Sequence, residues 1–456
     1  MSGHEDRTAA IALAGDAIIT QKLSTCTDPG LETLLEPIRE ADVSIANLEV
    51  LLHDYEGYPA AESGGTYMRA PPSMADELTW AGFDCFTLAT NHAGDYSHGG
   101  MEATIRELDS RGVPYAGLGT NLADARSPTY VDTPAGRIGI VAACSTVVDG
   151  TEAGRQRPDI QGRPGISPLR LETRYTVPAE AHDQLQEISE KLGLEAIKHR
   201  RGQSGFSAPG EETDAFTFVN VGNDDHLQFE RGAEFSVTQR PNQRDVDEIL
   251  AQIRQANRQA DWTIASLHAH EGESGRFNDE TVPQFLETFA HECVNAGANI
   301  FFGHGPHLLR GIEIYDGAPI FYSLGNFIMQ NETVTKLPAE IYEEYDLDPL
   351  HAQPAELFDA RIFDEDGTRT GFLRDRRFWE TVVPVCRLDD GRIESIELYP
   401  AALGHRRSRP QRGYPALASD ETAERIIADL QSLSAPYGTQ IDREEERGII
   451  EIDTEP

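Results

Sequence analysis

The sequence predicts a layered α/β fold, and three observations indicate it. Apolar runs with strand character alternate with amphipathic helical segments on both sides of an interruption at residues 146–242. Polar residues and glycines follow the ends of several of these runs. Turn dipeptides separate further pairs of apolar runs, which predicts hairpins. Because 456 residues exceed what one ordinary core needs, we expect one large domain with an insertion and a small C-terminal piece, or two domains.

The N-terminal third repeats a strand–helix–strand pattern. The run "AAIALAGDAII" predicts a buried strand, "GLETLLEPIREA" has apolar residues at helical spacing, and "DVSIANLEVLL" predicts a second strand. The pattern recurs with a helix in "PSMADELTWAG", the strand "FDCFTLAT", the loop "NHAGDYSHGG" and the helix "MEATIRELDSRG", which we expect to stop at Gly112. The segment "YVDTPAGRIGIVAAC" then predicts a hairpin that turns near Ala135-Gly136.

The pattern fails between residues 146 and 242 and returns after them. This interruption is rich in Gly, Pro and Arg, and we interpret it as an insertion or lid. The strands "WTIASLHAH" and "ANIFFGH", each preceded by a helix, lead to a hairpin at Asp316-Gly317. After a variable patch, a hairpin at Asp390-Gly391, a helix and a short strand complete the core. The predicted units are therefore a core over 8–330 and a C-terminal extension over 376–456.

The charge of the chain excludes one class of partner and indicates an environment. The net charge is -38, and arginine supplies almost all of the cationic charge. Such a surface is typical of adaptation to high salt, where screening removes most of the self-repulsion. It argues against nucleic-acid binding through a basic patch. The N-terminus shows no signal peptide and no apolar run approaches ~20 residues, so we expect a cytoplasmic protein in a high-salt cytosol without a transmembrane segment.

The five cysteines are scattered and form no CxxC motif. This spacing favours small buried apolar residues over a zinc knot or a disulfide framework.

Residues with metal-binding side chains stand at the ends of successive predicted strands. They are Asp16, Glu49, Asn91, His268, His304 and His307. In α/β sheets this edge binds ligands, and carboxylates, an amide oxygen and imidazoles together suit Mn, Fe, Co or Zn. Taken singly, each has an ordinary alternative, such as a turn or helix cap for Asp16. Their common position at strand ends, with glycines on both sides of His304, favours a metal site.

Long segments of the chain resemble the CapA family of poly-gamma-glutamate capsule biosynthesis proteins. They are "LAGDAII", "ADVSIANLEVLL", "GFDCFTLATNHAGDYSHGGMEATIRELDSRGVPYAGLGTNLADARSP", "DWTIASLHAHEGE" and "GANIFFGHGPHLLRGIEIYDGAPIFYSLGNFI". The resemblance implies a calcineurin-like metallophosphoesterase with a four-layer α/β/β/α sandwich of the metallo-dependent phosphatase type. It also implies one or two divalent metal ions and a role in making an acidic capsule polymer.

The resemblance assigns roles by position. Asp16 stands for the first metal aspartate and Glu49 for the bridging carboxylate, while His92 matches the catalytic histidine beside the ligand Asn91. His268 matches the strand-end histidine ligand, and the last Gly-His pair falls on His304 and His307.

Three positions depart from the superfamily or family pattern. Ile18 replaces a histidine, Glu49 replaces an aspartate, and Gly305 replaces the middle histidine of Gly-His-His-Pro-His. The first two departures are typical of the capsule group itself.

Four further residues are candidates with an open alternative. Asp95 either orients His92 or caps the following helix. Arg69 either binds an anionic substrate or forms a structural ion pair. His270 and Glu271 either contact substrate or lie in an exposed loop.

The predicted activity is hydrolysis of a phosphoester, with an anionic phosphoester or an acidic polymer as substrate. One alternative is a non-catalytic scaffold or polymer-handling component with protein partners in a capsule-type assembly. Another is a general nucleotide or phospho-sugar phosphatase.

Overall fold

Two large β-sheets organise the computed structural model, which describes residues 8–204, 215–219, 226–364, 366–389 and 392–452. Within these residues the first sheet has ten strands: Thr8–Ile18, Val43–Leu48, Cys85–Thr87, Tyr115–Ala116, Asn326–Met329, Glu380–Asp389, Arg392–Ala402, Ala416–Leu417, Asp442–Glu444 and Arg447–Glu451. The second sheet of the described chain has six: Thr129–Asp132, Arg137–Cys144, Trp262–His268, Ile300–His304, Ile312–Tyr315 and Ala318–Phe321. Both sheets mix parallel and antiparallel pairs.

Helices, most of them amphipathic, complete this mixed α/β fold. Those of the described residues are Pro29–Glu40, Met74–Ala81, Ser97–Arg111, Leu122–Arg126, Ala179–Lys191, Leu194–Gln203, Gln243–Asn257, Gln284–Asn295, Ala339–Glu343, Pro354–Ile362 and Asp420–Ser434. The first shows why the sequence forms them. Asp28 accepts a hydrogen bond from the Gly30 N–H, and Pro29 occupies the first turn. Its buried leucines and isoleucine recur at helical spacing and face the main hydrophobic core.

The central strand of each sheet carries a polar residue at its C-terminal end. Thr8–Ile18 runs parallel to Val43–Leu48 and to Asn326–Met329, which places Asp16 opposite Asn47 and Asn326. In the second sheet, His268 lies opposite His304 on parallel strands. Because these strands are buried, they read as continuous apolar runs until the polar residue appears.

The two sheets share one interior. A single hydrophobic cluster contains Ile11 and Ile45 from the first sheet together with Ile264 and Phe302 from the second. The strand ends of both sheets therefore meet at a common edge of this core.

Most predicted elements are confirmed, and the glycines at their turns and ends have the expected left-handed backbone conformation. The hairpin at Asp316-Gly317 turns through two left-handed residues, with φ of 49° and 78°. Gly112 ends its helix with a φ of 66°. The predicted turn at Asp390-Gly391 lies outside the described residues, but the strands on either side pair antiparallel as expected.

The helix predicted to begin at Met101 begins at Ser97 instead. The prediction was wrong because the glycines before Met101 were interpreted as loop residues. A Cβ on Gly100 would stand 2.7 Å from the Tyr96 Cβ, and one on Gly99 would stand 2.9 Å from the Gly57 Cα. These glycines therefore allow close packing inside a helix and do not mark a loop.

The interruption at 146–242 contains a sheet of its own. Its strands are Leu171–Pro178, Phe216–Val219, His226–Gly232 and Ser236–Pro241. The variable patch after residue 330 contains two short helices that the sequence pattern did not predict, Ala339–Glu343 and Pro354–Ile362. The strand Glu380–Asp389 pairs antiparallel with Thr8–Ile18, so C-terminal residues extend the first sheet.

All five cysteines are free thiols, and four of them are buried, as expected. In the described part of the chain, no helix combines the length and apolar character needed to cross a membrane.

Candidate metal centre

Six predicted metal residues converge in one buried cluster. At most 5% of the surface of each of the following residues is exposed: Asp16, Glu49, Asn91, His268, His304 and His307. They come from loops and strand ends of both sheets. Three overlapping groups within the cluster bring at least three ligand atoms within 4.8 Å of one another. The cluster could therefore hold a metal ion.

Asp16 is the centre of one half of the cluster. Its Oδ1 lies 3.6 Å from both His268 Nδ1 and His304 Nδ1, and its Oδ2 lies 3.5 Å from His307 Nδ1. The Nδ1 atoms of His268 and His304 are 2.9 Å apart. Such short spacings between neutral nitrogens and a carboxylate suit a shared cation.

Glu49 is the centre of the other half. His268 Nε2 lies 3.6 Å from Glu49 Oε1, 2.9 Å from Asn91 Oδ1 and 3.0 Å from His270 Nε2. The two nitrogens of the His268 ring thus face different halves of the cluster. His270 belongs to the group of ligand atoms formed by Glu49 and His268.

The carboxylate of Glu49 is fully buried and lacks a hydrogen-bond partner among the described residues. Besides His268, the imidazoles within ion-pair distance of it are those of His92 and His307, with Nε2 and Nδ1 respectively at 3.9 Å from a carboxylate oxygen. Burying an unpaired carboxylate costs several kcal/mol on the order-of-magnitude scale for desolvated ions. A cation among these oxygens and nitrogens would remove most of that cost.

Residues outside the predicted set orient the ligands. Asn47 Nδ2 donates to Asp16 Oδ1 at 2.8 Å, and the Gly305 N–H donates to Asp16 Oδ2 at 3.0 Å. Gly305 has a φ of 116°, and a Cβ there would stand 2.8 Å from the Ala269 nitrogen. This backbone position therefore strongly favours glycine. That preference is a physical reason why residue 305 is not a histidine, as in the Gly-His-His-Pro-His pattern.

Hydroxyl and amide groups hold three of the histidine rings. The pairs are His304 with Ser266 at 2.8 Å, His270 with Asn278 at 2.7 Å, and His307 with Asn326 at 2.9 Å. The sequence carries a signal for two of these hydrogen-bond partners. Ser266 alternates with His268 on one strand, and Asn326 lies in the motif Gly325-Asn326-Phe327. Asn278 lies in a loop where we find no sequence signal.

Asp95 contacts His92 and does not cap the following helix. The His92 Nδ1–H donates to Asp95 Oδ2 at 2.7 Å, and the backbone N–H groups of Gly64 and Met68 donate to the same carboxylate at 3.1 and 2.6 Å. The residue at the N-cap of the helix is Tyr96. Of the two roles considered for Asp95, the contacts match orientation of the His92 ring.

Two candidates do not reach the cluster. Arg69 donates to Asp54 Oδ1 at 3.0 Å and stacks over the Tyr55 ring at 4.0 Å, which matches a structural ion pair. Glu271 is buried and accepts hydrogen bonds from the hydroxyls of Ser145 and Thr146 at 2.7 and 3.0 Å. It fixes the loop that precedes the insertion and is not exposed.

Burial sets the protonation states of the imidazoles. It lowers the pKa of His304 to about 4, against the opposing effect of Asp16, and it lowers the pKa values of His268 and His270 well below the usual range. These rings are neutral at neutral pH, which is the form that binds metals.

The pKa values of the two carboxylates, Glu49 and Asp16, shift in opposite directions. Burial raises the pKa of Glu49 well above its usual value, and the charges of Asp16 and Asp95 raise it further. Burial also opposes ionisation of Asp16, but the hydrogen bond with His307 and the charge of His304 outweigh it, so the Asp16 pKa is lowered. A divalent cation would favour the ionised form of both.

A small cavity opens beside the cluster. It has a volume of about 110 Å³, and His92, His270 and His307 contribute to its wall. Phe277 stacks flat against the His270 ring, with 4.9 Å between ring centres. Arg361, from the variable patch, also lines this cavity and was missed by the sequence analysis. Ile18 lines it where the superfamily pattern has a histidine.

Comparisons with known proteins agree with the sequence resemblance. Residues 10–331 match the family "Bacterial capsule synthesis protein PGA_cap". Uncharacterized protein y4sH of Sinorhizobium fredii (strain NBRC 101917 / NGR234) is 33% identical over 444 residues, covering 96% of this chain and 92% of the relative. Capsule biosynthesis protein CapA of Bacillus anthracis is 23% identical over 304 residues, covering 66% of this chain and 53% of the relative.

Among solved structures, a hypothetical protein from Thermus thermophilus covers 86% of this chain and 98% of its own, with 13% identity and a TM-score of 0.37. A likeness at that level supports no conclusion about fold or chemistry. The family match, in contrast, spans most of the chain, including every strand end in the cluster. The chain therefore belongs to the bacterial capsule synthesis protein PGA_cap family.

Proposed function

We propose that this protein is a divalent-metal-dependent phosphoesterase that acts in the synthesis of capsule or poly-gamma-glutamate polymers. The observation that supports the activity best is the buried Glu49 carboxylate, which lies among imidazole nitrogens and the carboxylate of Asp16 and accepts no hydrogen bond in the described residues. A cation would hold this carboxylate in its ionised form, and a cation in a cluster of this composition is suited to phosphoryl chemistry.

One or two divalent ions of the Mn, Fe, Co or Zn type would fit the cluster. The residues that would hold them are Asp16, Glu49, Asn91, His268, His304 and His307, with His270 added because its Nε2 lies 3.0 Å from His268 Nε2. Bound there, such an ion would act as a Lewis acid toward a phosphoryl oxygen and would increase the acidity of water.

The residue that moves a proton in this proposal is His92. Asp95 holds its Nδ1 proton and fixes the ring, so that Nε2 faces the Glu49 side of the cluster. From there Nε2 offers a hydrogen bond to the phosphoryl group and delivers a proton to the leaving oxygen. Asp95 contributes through the orientation of His92.

The proposed architecture is the four-layer α/β/β/α sandwich of the calcineurin-like superfamily. It is supported by the interior shared between the two sheets and by helices that pack against each of them. In this arrangement, residues 8–330 form the core with 146–242 as an insertion or lid, and 376–456 complete it.

The link to an acidic polymer follows from the family and from relatives named for capsule and PGA biosynthesis. A protein with a net charge of -38 repels a polyanion unless salt or bound metal offsets the charge. The proposed metal centre provides such a positive site for an anionic phosphoester or a polymer end. Proteins of a capsule-type assembly are the proposed partners.

The test is metal-dependent hydrolysis of bis-p-nitrophenyl phosphate in high salt. We expect wild-type protein with Mn²⁺ to hydrolyse it, and His92→Ala to lose about 10²–10⁴-fold in kcat while it still binds Mn²⁺. Stoichiometric metal binding by wild-type protein without hydrolysis of any ester in a broad screen would refute the activity.

That outcome would support the second candidate, a scaffold or polymer-handling component. The segment 146–242 favours it, because Leu185, Ile188 and Phe235 line one cavity there and Phe235 exposes 73% of its surface.

A further inference from the structure

An arginine outside the family's matched segment reaches the cavity beside the metal cluster. Arg361 is the penultimate residue of the helix Pro354–Ile362, and the helix lies beyond residues 10–331. It lines the cavity together with His92, His270 and His307. A distant part of the sequence thus supplies a permanent positive charge to a wall that otherwise carries imidazoles.

The Arg361 guanidinium has no carboxylate within ion-pair distance among the residues that the structure describes. It keeps this unpaired charge although Asp and Glu outnumber Lys and Arg by 77 to 39. Arg409 and Arg412, which lie near the same patch, both pair with Glu332. Arg361 instead donates to the Thr66 hydroxyl at 2.6 Å, which uses one of its five N–H groups, and its guanidinium carbon lies 5.9 Å from the centre of the Tyr345 ring. A ring contact leaves the other N–H groups in the guanidinium plane able to donate to an anion.

The position of Arg361 relative to His92 is fixed through one carboxylate. Asp95 accepts a hydrogen bond from His92 and two more from the backbone of Gly64 and Met68. Thr66, which holds Arg361, lies between those two anchors. The loop also packs closely, since a Cβ on Gly64 would stand 2.7 Å from the Asn91 amide nitrogen.

The charge of the cavity wall favours one kind of anion. The cavity has a volume of about 110 Å³, and the Arg361 guanidinium and the imidazoles of His92, His270 and His307 line it. A phosphomonoester carries close to two negative charges at neutral pH, because its second pKa is about 6. A diester carries one.

We propose that Arg361 binds the non-bridging oxygens of a terminal phosphoryl group, so that the site takes phosphomonoesters in preference to phosphodiesters. This inference rests on the proposed phosphoesterase function and specifies its substrate class. Arg361 pairs with the additional charge of the monoester, while the metal residues and His92 act on the ester bond.

The kinetic test compares p-nitrophenyl phosphate with bis-p-nitrophenyl phosphate in the presence of Mn²⁺. We expect wild-type protein to prefer the monoester, and Arg361→Gln to lower kcat/KM for it by about 10²–10³-fold, as expected for the loss of a charged donor to a phosphoryl oxygen. The diester should lose less than ~10-fold, since it lacks the second charge. Arg361→Lys should restore part of the loss. Arg106→Gln, which removes an exposed guanidinium from another helix, should match wild type.

A binding measurement separates this inference from the proposed activity. Calorimetry with inorganic phosphate and Mn²⁺-loaded protein should show affinity at least ~10-fold weaker for Arg361→Gln, with unchanged Mn²⁺ affinity. If wild-type protein hydrolyses neither ester but phosphate binding depends on Arg361, the proposed function fails and the anion subsite stands. Equal phosphate affinity in both proteins, an equal kinetic loss for both esters, or tighter Arg361-dependent binding of glutarate than of phosphate would overturn the inference.

Discussion

Two buried carboxylates, Glu49 and Asp245, show how differently one chain treats a charge in its interior. Both have no exposed surface. Asp245 accepts hydrogen bonds from Arg170 Nε at 2.7 Å and Nη2 at 2.8 Å, and it also pairs with Arg126. Glu49, in contrast, has imidazoles and the carboxylates of Asp16 and Asp95 around it, and its oxygens lack a hydrogen-bond partner in the described residues.

The pKa values express the same difference. Burial opposes ionisation of Asp245, but its hydrogen bonds with Arg170 and Arg126 outweigh burial and lower its pKa. At Glu49, burial and two neighbouring carboxylates act in the same direction and raise the pKa. The chain therefore supplies the counter-ion of Asp245 itself, whereas at Glu49 the counter-ion would be the proposed metal.

The largest expected effect is the loss of stability when the ion cluster of Asp245, Arg126 and Arg170 is broken. Asp245→Ala should lower the free energy of unfolding by about 3–5 kcal/mol, because it removes the buried partner shared by Arg126 and Arg170 and leaves the buried Arg126 with only Glu248 as an ion-pair partner among the described residues. Urea denaturation in high salt measures this. Asp247→Ala, on the exposed face of the same helix, is the control and should change stability by less than ~0.5 kcal/mol. Equal effects of the two substitutions would mean that burial of Asp245 has no energetic consequence.

The next effect concerns Glu49, and it should appear only when metal is present. Mn²⁺ at about 100 times its dissociation constant should stabilise wild-type protein by ~2.7 kcal/mol, and Glu49→Gln should lose most of this gain. The metal-free variant should be as stable as metal-free wild type, since glutamine keeps the shape and removes an unpaired charge. Thermal denaturation with and without Mn²⁺ tests both statements. A metal-free variant as unstable as Asp245→Ala would contradict the comparison.

A smaller effect follows from the lowered pKa of Asp245. A carboxyl with a depressed folded-state pKa contributes stability above its unfolded pKa of about 3.9, and this contribution is lost as pH falls through the folded value. The stability gap between wild type and Asp245→Asn should therefore be constant from neutral pH to about pH 5 and should shrink below about pH 4. Urea titrations at a series of pH values measure the gap. If the stability gap between wild type and Asp245→Asn instead widens as pH falls, folding does not lower the Asp245 pKa.

Salt should produce the smallest difference between the two regions. Raising KCl should stabilise the whole protein, because screening reduces repulsion among its excess acidic groups. The gap between wild type and Asp245→Ala should change by less than ~1 kcal/mol over the same range, since buried pairs are screened little. A gap that closes in high salt would indicate that the Asp245 cluster is open to solvent.

The sequence predicted the ends of the central strands well, and physical reasons explain this success. Asp16, His268 and His304 interrupt long apolar runs, so each was visible as a polar residue after a buried strand. Parallel pairing then brings such ends together without further information.

The residues that were missed lack such a signal. Arg361 and Asn278 reach the site from a short helix and a loop, whose path depends on tertiary packing and not on periodicity. Glu271 was misplaced for a related reason. Its position next to His270 suggested the site, but its carboxylate turns to the hydroxyls of Ser145 and Thr146.

The pairing of the N-terminal strand also determines when the protein can mature during synthesis. Ala12 lies beside Val385 on one side and Ser44 on the other. A nascent chain must therefore emerge from the ribosome almost to residue 389 before the strand that carries Asp16 gains both neighbours. Such distant pairing makes closure slow, so the strand that carries Asp16 reaches its final place only after most of the chain has been made. In the proposed metal-dependent enzyme, a fully formed metal centre would consequently report late assembly of the first sheet.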